Sequence, residues 1–524
     1  MLEKVVPKYP ITGGLQDRLR ASARQWRLPY WDWAERKSVD HGLKTYTVPK
    51  IVKDKELDIM TSTGPLKVRN PMYQFVMPNN EVMGKHGVHH YAEKPAGTFD
   101  YSAMFEACYG TSRYVDAPDK DATPYPTDFV EGFQDNAKVE EALRGHGWYQ
   151  NKDPDNPVYK DTLAEAVYRF FSEEYFSDYS KFASTALEKG QNPQYFLSIE
   201  GVHNNVHNWI GGQGVNPKTG KTMDGHMTEV PVSAFDPIFW LHHANIDRQF
   251  AIWQELYPDS WFENTKEKDE EGTYSIAKQT TNSPDVKLRP FDDLQGRPYD
   301  SDMIRDWYST GYTYTELTPW DPKYSPNGIY DRKLYIEDLK AKMNTLCAST
   351  RNLWLDLGDE LGSASTSHAE DYVVNVTYDR FELEGAPYLV SILFKPASEV
   401  SVVNQYMSPE YVGGVYNFSA PNPRCQNCDD QRKEKALSTG QVPITTPLIQ
   451  RVRDEGVTDL NNMQVGQKGR EVPLDQMQSL RVGVAYGKAK HSPEDEIMSN
   501  YYGYDWLYGA TAGRERGIQA VEAL

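Results

Sequence analysis

The periodicity of the chain changes near residue 366, and that change limits the folds open to it. Before it, apolar residues recur at helical spacing. Leu163, Val167, Phe170 and Phe171 mark one face of a helix predicted over 159–188. Further helices are expected at 15–25, 128–145, 194–210, 239–256, 300–309 and 335–349. Gly211-Gly212 stops the 194–210 helix, and Pro258 closely follows the end of the 239–256 helix. The rest of the first 125 residues, rich in Pro, Gly and Tyr, is expected to be mostly loop. After the change, β-branched and aromatic residues dominate Asp371–Leu383, Tyr388–Phe394, Ser401–Tyr406, Val415–Phe418 and Arg481–Ala485, as in strands. The stretch GSASTSHAE at the change reads as a linker. The expected fold is therefore a mainly α domain over 1–365, a helical bundle, followed by a β-rich C-terminal domain over 366–524. A chain of 524 residues is long for one hydrophobic core, which agrees with two domains.

Net charge argues against some partners. The chain carries −19 at pH 7, which disfavours binding to nucleic acid or to an anionic membrane. No apolar run approaches the roughly 18–20 residues of a membrane helix. The start, MLEKVVPKYPIT, has no stretch that would serve as a secretory signal, so a cytoplasmic protein is expected. Four cysteines, Cys108, Cys347, Cys425 and Cys428, are too few for a disulfide scaffold of this length and fit a reducing compartment. A small molecule is the expected partner. The oligomeric state is left open.

The histidines point to chemistry. His203 and His207, in EGVHNNVHNW, stand four apart on one predicted helix, so their imidazoles share a face. Alone, such a pair is usually an ordinary one. A second helix, in FDPIFWLHHANIDRQFAIW, brings His242 and His243. Facing helices that present histidines into a shared core are how bundles build metal sites. Three His with an open position suit a catalytic rather than a structural site. Asp247, one turn beyond His243, is expected either to orient an imidazole from behind or to form a helix charge pair. The remaining histidines, His41, His86, His89, His90, His146, His226, His368 and His491, are expected to be non-ligands. Cys425 and Cys428 have no second pair at zinc-site spacing, and a structural turn is expected there.

These segments resemble the second copper-binding half of tyrosinases, catechol oxidases and molluscan hemocyanins. Asp236, Pro237, Phe239, Trp240, His243 and Asp247 match the long pattern D-P-x-F-W-x-x-H-x-x-x-D. RLPYWDWA at 27–34, Cys425-x-x-Cys428 and VPITTPLI match as well. The resemblance implies a metal held by His203, His207 and His243, with His242 as a neighbour. It implies that Glu200 and Asn204 position water beside the metal. It also implies a β-rich domain packed over the site.

In the family, RLPYWDWA follows a first copper site with three more histidines, and this sequence has none before His41. Oxidation of phenols by dioxygen in that family uses two coppers together. Two expectations follow. One is a single-metal enzyme resembling the hemocyanin-like fungal cyclopenases of alkaloid biosynthesis in secondary metabolism. These use Zn2+ to convert a cyclopenin-type benzodiazepinedione epoxide to a viridicatin-type quinolone, a lyase or rearrangement reaction. Zinc suits such Lewis-acid chemistry, and Glu200 is the expected general base or water holder. The alternative is a dicopper tyrosinase or polyphenol oxidase whose sequence is truncated at the N-terminus. Three imidazoles suit Zn2+ and Cu2+ alike. A non-catalytic hemocyanin-like binding protein is a third expectation.

Overall fold

A computed structural model describes residues 14–38, 44–61, 63–86, 105–116, 124–147, 162–172, 177–187, 197–215, 222–262, 268–269, 280–281, 283–360, 368–383, 385–394, 408, 410–419, 437–449 and 474–519. The N-terminal part is helical. Its principal helices are α1 (Gly14–Gln25), α2 (Asn136–Gly147), α3 (Thr162–Arg169), α4 (Ile199–Gly211), α5 (Ile238–Leu256), α6 (Arg332–Cys347) and α7 (Ser349–Glu360). Three of the expected helices are broken, the one at 300–309 at Asp306, where Ser301–Arg305 gives way to a 3-10 turn over Trp307–Thr310. The 128–145 stretch splits around Gly132, whose φ of 81° leaves the helical region. A Cβ there would stand 2.2 Å from Gln74 and 2.4 Å from the Thr111 carbonyl, so only glycine fits. The 159–188 stretch yields α3 and, after Asp178 caps a new start, a short helix Tyr179–Ala183. The first 125 residues hold more than loop and α1, because Glu56–Thr61 and Gly64–Arg69 pair as a hairpin.

The C-terminal part is built on an antiparallel sheet. Its long strands are β1 (His368–Asp379), β2 (Tyr388–Leu393), β3 (Tyr411–Asn417), β4 (Leu437–Pro443), β5 (Arg481–Lys490) and β6 (Asn500–Trp506). In the five-stranded sheet the order is β6-β5-β1-β4, completed by the two-residue strand Ala186–Leu187 from the helical part. Strands β2 and β3 form a separate two-stranded ribbon. Strands β4 and β6 had no alternating pattern to announce them. The 401–406 stretch, expected as a strand, lies outside the described residues.

Alternation along β1 sends its valines to two different cores. Val373, with Ala485, Ala489 and Tyr501 from neighbouring strands, joins the helical core. Val374 and Val376 face the other way and pack with Val390, Val412 and Val415 of the ribbon. The sheet is thus buried on both faces, with Asp371, Asn375 and Thr377 buried on the same side as Val373. A buried ion network fastens the two parts. Arg169 of α3 forks onto Asp371 of β1 at 2.6 and 2.9 Å and reaches Glu165 at 3.1 Å, all three side chains at 2% exposure or less. Removing one partner of such a pair strands a buried charge and costs about 3–5 kcal/mol. Among the described residues no helix is long and apolar enough to cross a membrane.

Candidate metal centre

Helix α4 begins where the Ser198 hydroxyl accepts the Gly201 amide at 3.1 Å. It ends at Gly211-Gly212, whose backbone passes tight against two neighbours. A Cβ on Gly212 would lie 2.0 Å from the Tyr114 ring, and one on Gly211 would lie 2.6 Å from the Thr228 amide nitrogen. That close approach brings the Met227 carbonyl to the helix, where His207 Nδ1 donates to it at 2.8 Å. Helix α5 starts beside Asp236, which accepts the Ile238 amide at 3.2 Å and is gripped by Arg113 at 2.5 and 2.8 Å. The Asp-Pro of the sequence motif therefore aims α5 by a buried ion pair at its first turn.

The two helices bring His203, His207, His242 and His243 together, each offering a donor nitrogen within 4.8 Å of the others. Three of these nitrogens are closer. His243 Nε2 lies 3.2 Å from His203 Nε2 and 3.3 Å from His207 Nε2. Tetrahedral ligands about 2.0–2.1 Å from a metal stand roughly 3.3–3.4 Å apart. His203 Nδ1 donates to Asn204 Oδ1 at 2.9 Å, and His207 Nδ1 is spent on Met227. Both therefore face the cluster with a bare Nε2, and neither can donate to the other. Burial lowers the pKa of all four imidazoles, that of His243 to about 3 with a further push from His203. Neutral imidazoles such as those of His203 and His207, with outer nitrogens tied back and inner lone pairs turned to the cluster, fit a divalent cation.

His242 differs from the other three. Its Nδ1 accepts a hydrogen bond from the Trp33 indole at 3.1 Å, so its outer nitrogen is not a donor. Trp33 belongs to the WDWA segment, which lies along α5. The Trp31 amide donates to the Leu241 carbonyl at 3.1 Å, and Asp32 pairs with Arg248 at 2.9 Å.

Two aromatic rings close over the site. Phe239 stacks on His243 with centroids 3.9 Å apart. Phe418, just past β3, stacks on His207 at 4.4 Å and 22° and meets the His203 ring edgewise at 5.9 Å. The β-rich part thus reaches the metal centre itself. Asn205 holds it there. Its Nδ2 donates to the Gly414 carbonyl at 2.9 Å and its Oδ1 accepts the Tyr416 amide at 2.8 Å.

Other expected site residues are engaged elsewhere. Glu200 accepts from the Thr185 amide at 2.7 Å, from the Ser184 and Thr185 hydroxyls, and from Arg380 at 3.4 Å. Asn204 orients His203. Among the described residues, Asp247 meets neither an imidazole nor a helix cation. It accepts from the Tyr312 hydroxyl at 2.7 Å and from the Tyr314 hydroxyl, and these partners correct both expectations for it. His226 is buried and accepts the Ser112 amide at 3.0 Å, His491 contacts Ser499 at 2.8 Å, and His86 pairs with Glu81 at 3.1 Å. His41, His89, His90, Cys425 and Cys428 lie outside the described residues, as do the side chains of His146 and His368. Trp33, Asn205, Phe239 and Phe418 are site residues not expected from sequence. Trp33 and Phe239 stand in the family motifs, whereas Asn205 and Phe418 have no local signal.

Comparison with known proteins agrees with this geometry. Residues 12–256 match the common central domain of tyrosinase, and residues 371–484 match the tyrosinase C-terminal domain. A tyrosinase of Aspergillus fumigatus is 32% identical over 82% of this chain and 65% of its own length. A tyrosinase of Neurospora crassa is 26% identical over 62% of this chain and 39% of its own length. The chain thus spans less than two thirds of either relative. A crystal structure of holo-protyrosinase from Aspergillus oryzae is similar with a TM-score of 0.67 and 25% identity, over 96% of this chain and 78% of that one.

Proposed function

This chain belongs to the tyrosinase family, and we propose on that basis that it is a copper-dependent oxidoreductase of phenols or catechols, with His203, His207 and His243 holding the ion. The observation that carries the reading is the convergence of three imidazole nitrogens, two of them at 3.2 and 3.3 Å from the third. Copper held by these three imidazoles would, with a second copper as the family uses, supply the dioxygen chemistry that turns a catechol into a quinone. The chain's own residues do the rest. Asn204 and the Met227 carbonyl fix the ring orientation of His203 and His207. Phe239 shields the His243 face from water. Phe418 lies flat on His207, where a planar phenol ring would stack, so in this arrangement the substrate face is covered. Glu200 and its partner Arg380 help hold the covering domain in place.

One observation favours a second reading. Among the described residues, the four-histidine cluster is the one group of three or more His, Cys, Asp or Glu placed to hold a metal. A single redox-inert Zn2+ works alone as a Lewis acid, as the cyclopenase-type conversion of a benzodiazepinedione epoxide to a quinolone would require. One experiment separates the two. Copper-loaded protein is offered a catechol in air, and zinc-loaded protein is offered a cyclopenin-type epoxide under nitrogen. Quinone formation with dioxygen uptake, lost in His243→Ala, is the expected result. Anaerobic turnover of the epoxide by the zinc form, with no catechol oxidation by the copper form, would replace the first reading by the second.

A further inference from the structure

Four imidazoles crowd into this cluster, yet a reactive metal needs a position left vacant for a small molecule. We propose that Trp33 keeps that position open by locking His242 in the tautomer that cannot bind the metal. The inference rests on the metal-binding part of the reading above and on neither choice of substrate.

An indole N–H only donates, so His242 Nδ1, 3.1 Å from Trp33 Nε1, must be the bare nitrogen. A neutral imidazole then carries its proton on Nε2. That Nε2 is buried and has no hydrogen-bond partner, although the ring lies 4.9 Å from that of His207, 5.1 Å from His203 and 5.2 Å from His243. The proton occupies the lone pair that a metal would need. Moving it to Nδ1 would set an N–H against the indole N–H with no acceptor between them. Trp33 cannot swing away to relieve this. Its ring is buried in the core, and its segment is pinned to α5 by the Trp31 amide and by the Asp32–Arg248 pair. Trp33 is therefore a positioning residue that acts on the metal through His242, and the fourth imidazole remains a bystander.

The test counts imidazoles on bound Cu2+ by X-ray absorption, with release to a chelator as a second readout. Trp33→Phe keeps a packed ring and deletes the N–H. It is expected to gain one imidazole ligand per chain and to release copper at least roughly tenfold more slowly. The double variant Trp33→Phe/His242→Asn should return to the wild-type count. His242→Asn alone should leave that count unchanged, and this keeps the test decisive even where Trp33→Phe does not fold. An unchanged count in folded Trp33→Phe, or one imidazole fewer in His242→Asn, would overturn the proposal. Failure of the metal reading itself looks different, because the wild-type protein would then take up no copper through imidazole nitrogens.

Discussion

Phe418 lies against His207 with ring centroids 4.4 Å apart and planes 22° from parallel, though the two side chains come from different domains. Phe418→Ala should uncover this face. We expect faster oxidation of a small catechol and a loss of about 1–3 kcal/mol in stability, since a stacked, half-buried ring is removed. Steady-state rates beside thermal unfolding check both. An unchanged rate in a less stable protein would mean that Phe418 does not limit access.

Asn205 acts one step further from the metal. Asn205→Ala strips partners from the Gly414 carbonyl and the Tyr416 amide, costing about 1–3 kcal/mol while those groups stay buried. Metal content should be unaltered, because no ligand bond is touched, but a chelator should reach the metal sooner. Loss of metal from the freshly purified variant would show that Asn205 shapes the ligand set itself.

The ligand assignment makes its own demand. His203→Ala, His207→Ala and His243→Ala should each abolish stoichiometric metal binding. Asn204→Leu should weaken it by roughly 10–100-fold by freeing the His203 ring. Titration with a competing chromophoric chelator reads all four. Full affinity in any of the three alanine variants would remove that histidine from the set.

Stability should fall with rising pH through one buried acid. Burial, and then the neighbouring Asp224, hold the Glu229 carboxyl at about 8, against about 4.3 in an unfolded chain. The folded value is the higher one. Its contribution is thus complete below about pH 4 and is lost progressively as the pH climbs to 8, by at most about 1.4 kcal/mol per pH unit. Glu229→Gln should remove that slope. Urea unfolding of both proteins at pH 5 and pH 8 measures it, and equal differences between the two pH values would clear Glu229 of the effect.

Much of the site was legible in the sequence because it lies on two helices, where spacing dictates facing. His203 and His207 converge as their separation requires, and His243 brings its Nε2 to 3.2 and 3.3 Å from theirs. Helix positions were also readable apart from breaks at Gly132, before Asp178 and at Asp306, whereas the hairpin of Glu56–Thr61 and Gly64–Arg69 and the strands β4 and β6 were not. What stayed hidden depends on long-range meetings. Asp247 looked like a partner for an imidazole because it stands one turn away, but Tyr312 and Tyr314 arrive from a distant loop and take it. Likewise, nothing around Phe418 tells of His207, since only the folded ribbon brings them together.

Among the described residues, that ribbon, β2 and β3, forms no ladder with the five-stranded sheet. It leans on the sheet through side chains such as Val390, Val412 and Val415, and on α4 through Asn205. Beneath it, the sheet shares its inner face with the helices and is tied to them by Arg169. We expect the outer layer to open locally while the inner one stays intact, since only side chains join them among the described residues. Its amides should exchange with solvent ahead of those of β1 and β5. The interval for which the metal stays covered is then timed by this local opening, well below the temperature at which the whole molecule melts.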